Sequence, residues 1–162
     1  MTGPKTKNED VVNSLTNEEW VLSLLHANNG KPMNGKLMFV KQLFILANDI
    51  FPNLSDRFKF YPSHYGPYSD VFARTVKELI KKDLVKVDTE TEGKTKTYIF
   101  TLTERGKKMA KSAFERLPQD YQETISRKRR GWDQLGYRGI VRFVYTKYPE
   151  YRIKSKILDM IK

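Results

Sequence analysis

The chain has 162 residues, 39% of them hydrophobic and 12% aromatic, which suits one folded domain rather than a disordered segment. It carries 30 Lys and Arg against 19 Asp and Glu, has a net charge of +11, and contains no cysteine and only two histidines, His26 and His64. Disulfides, thiolate metal sites, cysteine nucleophiles and histidine-rich metal centres are thereby excluded. The apolar runs fall far short of the ~20 residues needed to cross a bilayer, and no charged-then-apolar leader opens the chain, so a cytoplasmic location away from membranes is expected.

Residues 1–15 are polar, contain Pro4, show no sustained period and read as a flexible tail. Thr16-Asn17-Glu18-Glu19 fits a capping box opening a first helix, with Trp20, Val21, Leu24 and Leu25 on one face. Asn28-Asn29-Gly30 supplies its left-handed stop. After a loop with Pro32 and Gly35, apolar residues three and four apart predict a second helix over residues 36–51, closed by Pro52. Residues 58–61 alternate briefly, and residues 62–68 read as a loop from their Pro and Gly content. Ser69 can cap a third helix over 70–82, with Phe72, Val76, Leu79 and Ile80 inward and Arg74, Lys77 and Lys81 outward. Strands over 83–87 and 96–102 form a hairpin around a polar turn, 88–93. Thr103 caps a fourth helix from 104 to about 117, stopped by Pro118. Two further helices, 121–130 and 136–148, are followed by Pro149 and a last short helix marked by Ile153, Ile157, Leu158 and Ile161.

Three helices, a hairpin and another helix is the order of a winged helix-turn-helix, a mainly α, α+β fold. The expected organisation is a flexible tail (1–15), a winged-helix domain (16–118) and a basic helical extension (119–162) that caps the core or pairs with a second subunit. The charge is lopsided. Residues 1–103 hold 14 basic and 12 acidic side chains, while residues 104–162 hold 16 and 7. Such a surplus points to a polyanionic partner, most often nucleic acid.

The run Phe60-Tyr61-Pro62-Ser63-His64-Tyr65-Gly66-Pro67-Tyr68-Ser69 resembles a signature of the YwgA-like and Panacea (antitoxin-type) winged-helix proteins, where such a turn leads into the third helix. Lys41-Gln42-Leu43-Phe44-Ile45-Leu46-Ala47, Leu102-Thr103-Glu104-Arg105-Gly106 and Phe143-Val144-Tyr145-Thr146-Lys147-Tyr148-Pro149-Glu150-Tyr151, with Ser155 beyond, are similar to other segments of that group. The resemblance covers about residues 18–157. It implies a bacterial or archaeal regulatory or antitoxin-like domain, not an enzyme, and it assigns no binding residue.

From the residues themselves, the candidate DNA contacts are Arg74, Lys77 and Lys81 on the third helix and Arg127, Lys128, Arg129 and Arg130, the densest positive run. These would bind phosphate, with affinity that falls as salt rises. Trp132 and Tyr137 lie close enough to that run to stack on bases, although Trp132 is equally suited to the core. The start of the third helix, Ser69-Asp70-Val71-Phe72, offers little for base readout, so modest or shape-based specificity is expected. Asp88, Glu90 and Glu92 at the hairpin tip argue against docking on phosphate and suit a protein partner or solvent. Tyr61, Tyr65 and Tyr68 anchor their loop, His64 satisfies backbone groups, and His26 favours a helix C-terminus as a cation. No phosphate-cradling glycine loop, paired carboxylates or catalytic constellation is present, so neither an enzyme nor a cofactor is expected. The expected function is a homodimeric DNA-binding regulator. The alternative is an antitoxin-like module meeting a protein through the acidic hairpin or the aromatic loop, and RNA binding by the basic extension comes third.

Overall fold

The computed structural model describes residues 4–152. Its first element departs from the expected flexible tail: residues Pro4–Asn13 form helix α1, with Val11, Val12 and Leu15 buried. Three hydrogen bonds from two side chains outside it explain the order. The Trp20 indole donates to the Val12 carbonyl at 3.0 Å, and Arg57 donates to the carbonyls of Val12 and Leu15 at 2.8 and 2.9 Å. They satisfy the Val12 carbonyl in the last turn, which has no partner within the helix, and the Leu15 carbonyl just beyond it.

Helix α2 (Asn17–His26) opens on the expected capping box, with the Thr16 hydroxyl accepting from Glu19 N and the Glu19 carboxylate accepting from Thr16 N. Trp20 through Leu25 are all buried. A short strand, β1 (Met33–Asn34), lies where a loop was expected. Helix α3 (Lys36–Ile45) runs on through a π turn, Leu46–Ile50, in which Phe51 N donates to Leu46 O at 3.0 Å. Helix α4 (Asn53–Phe58) follows, in a stretch for which no element was expected, just before the brief alternation at 58–61.

The expected loop at 62–68 is a hairpin of β2 (Tyr61–Ser63) and β3 (Gly66–Tyr68). Pro62 and Pro67 face each other in it. A two-residue connection makes Ser63 and Gly66 the hydrogen-bonded pair, so the prolines occupy the neighbouring non-bonded position and sacrifice no ladder bond. Gly66 has φ +97°, and a Cβ there would sit 3.0 Å from the Tyr145 ring.

Helix α5 (Asp70–Lys81) is the third expected helix. Strands β4 (Val85–Glu92) and β5 (Thr95–Leu102) pair through the whole stretch expected to turn, leaving only Gly93-Lys94 as the connection. The sheet order is β1-β5-β4, antiparallel throughout. Helix α6 (Glu104–Glu115) is capped by Thr103, whose hydroxyl accepts from Gly106 N and donates to Asp83 O. The first turn of α6 lies directly on the backbone before β4, since a Cβ on Gly106 would be 1.8 Å from Leu84 O.

The two helices expected beyond Pro118 are present and run consecutively over Gln119–Lys147 (together α7), separated at Gly136, whose backbone is not helical (φ 70°, ψ 178°). It packs mainly on α3, while α2 packs on α6. A 3-10 turn, Pro149–Tyr151, follows α7, and the last expected helix lies outside the described residues. The chain is thus mainly helical with small antiparallel sheets, around a core of Trp20, Phe39, Phe44, Phe51, Phe58, Phe72 and aliphatic neighbours. No described helix is long and apolar enough to cross a membrane.

Candidate nucleic-acid interface

Ser69 fixes where α5 begins. Its hydroxyl accepts from Phe72 N at 2.9 Å and donates to Phe58 O at 2.5 Å, so one buried side chain caps α5 and ties it to α4. Phe72, Thr75, Val76 and Leu79 then face inward. Arg74, Lys77 and Lys81 are exposed at helical spacings of three and four, as expected. They border an open groove between α5 and the α1–α2 connection, about 1570 Å³ in volume.

Other cations in that groove are already engaged. Lys82 pairs with Glu18 at 2.9 Å, Arg116 pairs with Glu19, and Arg57 holds the end of α1. None of Arg74, Lys77 and Lys81 has an ion-pair partner among the described residues. On its other side, α5 borders a smaller apolar groove formed with the sheet, lined by Lys36, Phe72, Val76, Val87, Tyr98 and Phe100 among others.

The hairpin carboxylates are placed differently from the sequence expectation. Asp88, Glu90 and Glu92 alternate along β4 rather than gathering in a turn, so all three project from one face. The opposite face carries Val85, Val87, Thr89 and Thr91, paired with Leu102, Phe100, Tyr98 and Lys96. Val87, Tyr98 and Phe100 of that second face meet α5. The carboxylates therefore lie on the face turned away from α5, where Lys86 approaches Asp88 at 3.6 Å.

The Arg127–Arg130 run divides three ways. Arg129, expected to contact phosphate, is fully buried. Its guanidinium donates to the carbonyls of Leu24, Leu25 and Lys31 at 3.0, 2.5 and 2.5 Å, and its Nε lies 3.2 Å from the Asp133 carboxylate. A residue so placed cannot reach a nucleic acid; it joins α7 to the end of α2 and to the loop before β1. Burial pushes its pKa down, opposed by Asp133. Arg127 and Lys128 are exposed beside a hollow lined by Ile45, Trp132, Leu135 and Phe143. Arg130 opens onto a different cleft. The sequence missed this division because a helix turns 100° per residue, so four consecutive cations must point in different directions.

The aromatic expectations separate in the same way. Trp132 is a core residue, with only 5% of its surface exposed, and is not free to stack on bases. Tyr61 anchors the hairpin by donating to Asp70 Oδ1 at 2.9 Å, whereas the Tyr65 ring is exposed rather than an anchor, and it is its backbone carbonyl that accepts from Lys41 Nζ at 2.6 Å. His26 lies in the last turn of α2 and packs on Phe114 with ring centroids 4.9 Å apart, where burial lowers its pKa and so works against the charged form. Lys41 is the residue that sequence reasoning overlooked as chemistry. It sits inside an otherwise apolar helix, is completely buried, and has a pKa lowered by desolvation to about 7. No group of three or more potential metal ligands occurs among the described residues. No protein-family model and no curated protein matches the chain.

Proposed function

We propose that this protein is a winged-helix DNA-binding regulator that docks through the exposed face of α5. In this reading α2, α3 and α5 form the helical core, β1-β5-β4 is the wing sheet, and α5 is the recognition helix. The observation that carries the proposal is the row of three cations on α5 with no ion-pair partner among the described residues, beside a sheet face from which the carboxylates are turned away. The acidic hairpin, which argues against docking in the sequence, loses that force once its side chains project from the opposite face. Affinity would be driven mainly by phosphate, because Asp70 and Val71 at the start of α5 give little base readout. Arg127 and Lys128, on a helix that packs against α3, supply a second patch for a longer or bent duplex.

Kinship with the YwgA-like and Panacea proteins is part of this reading. Its support is that Lys41, Tyr65, Gly66 and Tyr145, each from a segment that carries the resemblance, meet around one hairpin. A protein-interaction role of the antitoxin type is favoured by one observation, the exposed acidic face of β4.

The test is anisotropy of a labelled generic duplex across a series of salt concentrations. Each phosphate contact contributes about 0.9 to the slope of log affinity against log salt, so Arg74→Ala/Lys77→Ala/Lys81→Ala should reduce the slope by about 2.7. An unchanged slope in the triple variant refutes docking through α5. Binding that is absent even at low salt refutes the DNA reading and directs attention to the β4 face.

A further inference from the structure

A second concave region lies where α7 breaks. Two adjoining hollows, about 600 and 390 Å³, share Asn28, Lys31, Arg130 and Gln134 and form one two-lobed cleft. The larger lobe falls within the size range of small-molecule sites. No residue of α5 lines the cleft.

Asn28 and Asp133, which line it, belong to a fixed polar network that continues behind the wall to Gln42 and Arg129. The Asp133 carboxylate accepts from Asn28 Nδ2 at 2.8 Å and from Gln42 Nε2 at 2.7 Å, with Arg129 Nε at 3.2 Å. Asn28, Gln42 and Arg129 are all buried, so the network is built into the packing of α2, α3 and α7. Arg129 balances the charge of Asp133. Lys31 and Arg130, both exposed at the lip shared by the lobes, have no ion-pair partner among the described residues. The cleft therefore carries a positive surplus that calls for an anion.

The walls specify the rest of the ligand. Met38 and Tyr137 present an apolar side suited to a flat ring, with Tyr137 placed directly after the break at Gly136. Asn34 and Gln134 add amides, which supply both donors and acceptors to the edge of a heterocycle. Cations at the lip, an apolar wall behind them and amides around the rim fit a ring joined to a phosphate. We infer that this cleft binds a nucleoside phosphate of mononucleotide size, with the phosphate at Lys31 and Arg130 and the base against Met38 and Tyr137. The ligand would touch α7 and the α2–β1 connection at once, the two segments that Arg129 holds together.

The test is calorimetric titration of the full chain with AMP, adenosine and inorganic phosphate. AMP is expected to saturate at sub-millimolar concentration, and adenosine and phosphate to bind at least about tenfold more weakly because each lacks one half of the recognition. Lys31→Gln/Arg130→Gln alters only exposed side chains and should weaken AMP about tenfold or more, given the strength of charge-assisted bonds. The α5 triple variant should bind AMP as the wild type does. No saturation at millimolar AMP, undiminished affinity in Lys31→Gln/Arg130→Gln, or phosphate binding as tightly as AMP each overturns the assignment. Loss of AMP binding in the α5 variant overturns it too, because the ligand would then sit on the nucleic-acid face.

Discussion

Replacing Lys41 by methionine should raise stability near neutral pH, and the gain should shrink as the solution becomes alkaline. The Lys41 side chain is completely buried, its ammonium has one hydrogen bond, to the Tyr65 carbonyl at 2.6 Å, and the Tyr137 ring lies 5.5 Å away. Desolvation lowers its pKa from 10.5 to about 7. At about 1.4 kcal/mol per pH unit, this sets roughly 5 kcal/mol against burying the charged form. The unfolded chain keeps this proton up to about pH 10.5, whereas the folded chain releases it near pH 7. Between those values the unfolded state binds more protons, so stability rises with pH. Below about pH 7 the full destabilisation is present, and above about pH 10.5 it is gone. From pH 7 to pH 9 the wild type should therefore gain about 2 kcal/mol relative to Lys41→Met. The methionine strands the Tyr65 carbonyl, a loss of about 1–3 kcal/mol that does not vary with pH. Urea unfolding of both proteins at pH 7, 8 and 9 separates the two effects. A difference between them that stays constant across this range refutes the assignment of a neutral buried amine.

Two further outcomes concern packing. Arg129→Ala should cost about 3–5 kcal/mol, because it abandons the Asp133 charge and the carbonyls of Leu24, Leu25 and Lys31, while the adjacent Lys128→Ala should stay within about 0.5 kcal/mol. Denaturant midpoints measured side by side check the contrast, and equal losses would contradict it. Gly106→Ala should lower the melting temperature by roughly 10 °C, since its Cβ would meet the Leu84 carbonyl oxygen, a backbone atom that cannot swing aside. A melting temperature within a degree or two of the wild type would mean that α6 is free to shift.

Local signals are legible in the sequence where one residue determines the geometry. Thr16, Ser69 and Thr103 begin their helices as the sequence indicates, because an N-cap depends on a side chain bonding to backbone three residues ahead. Elements fixed by distant partners are not legible in the same way. Helix α1 has weak periodicity of its own and is held by Trp20 and Arg57. Strand β4 continues through Asp88-Thr89-Glu90-Thr91-Glu92, which looks like a turn by polarity but pairs with Thr95, Thr97 and their neighbours. The candidate site divided along the same line. Exposure of Arg74, Lys77 and Lys81 followed from helical spacing, whereas the burial of Arg129 depends on carbonyls about a hundred positions away.

The position of β4 in its sheet has one more consequence. As an outer strand of β1-β5-β4 it offers eight residues of backbone on a side that no other described strand covers, which is a template for another chain to add to. Asp88, Glu90 and Glu92 place a like charge at every second position along that template. A second copy stacking there would bring carboxylates beside carboxylates, so the same side chains that mark the acidic face also keep concentrated protein from growing edge to edge. Neutralising them with Asn and Gln would leave the fold's core untouched and turn a repelling border into an adhesive one.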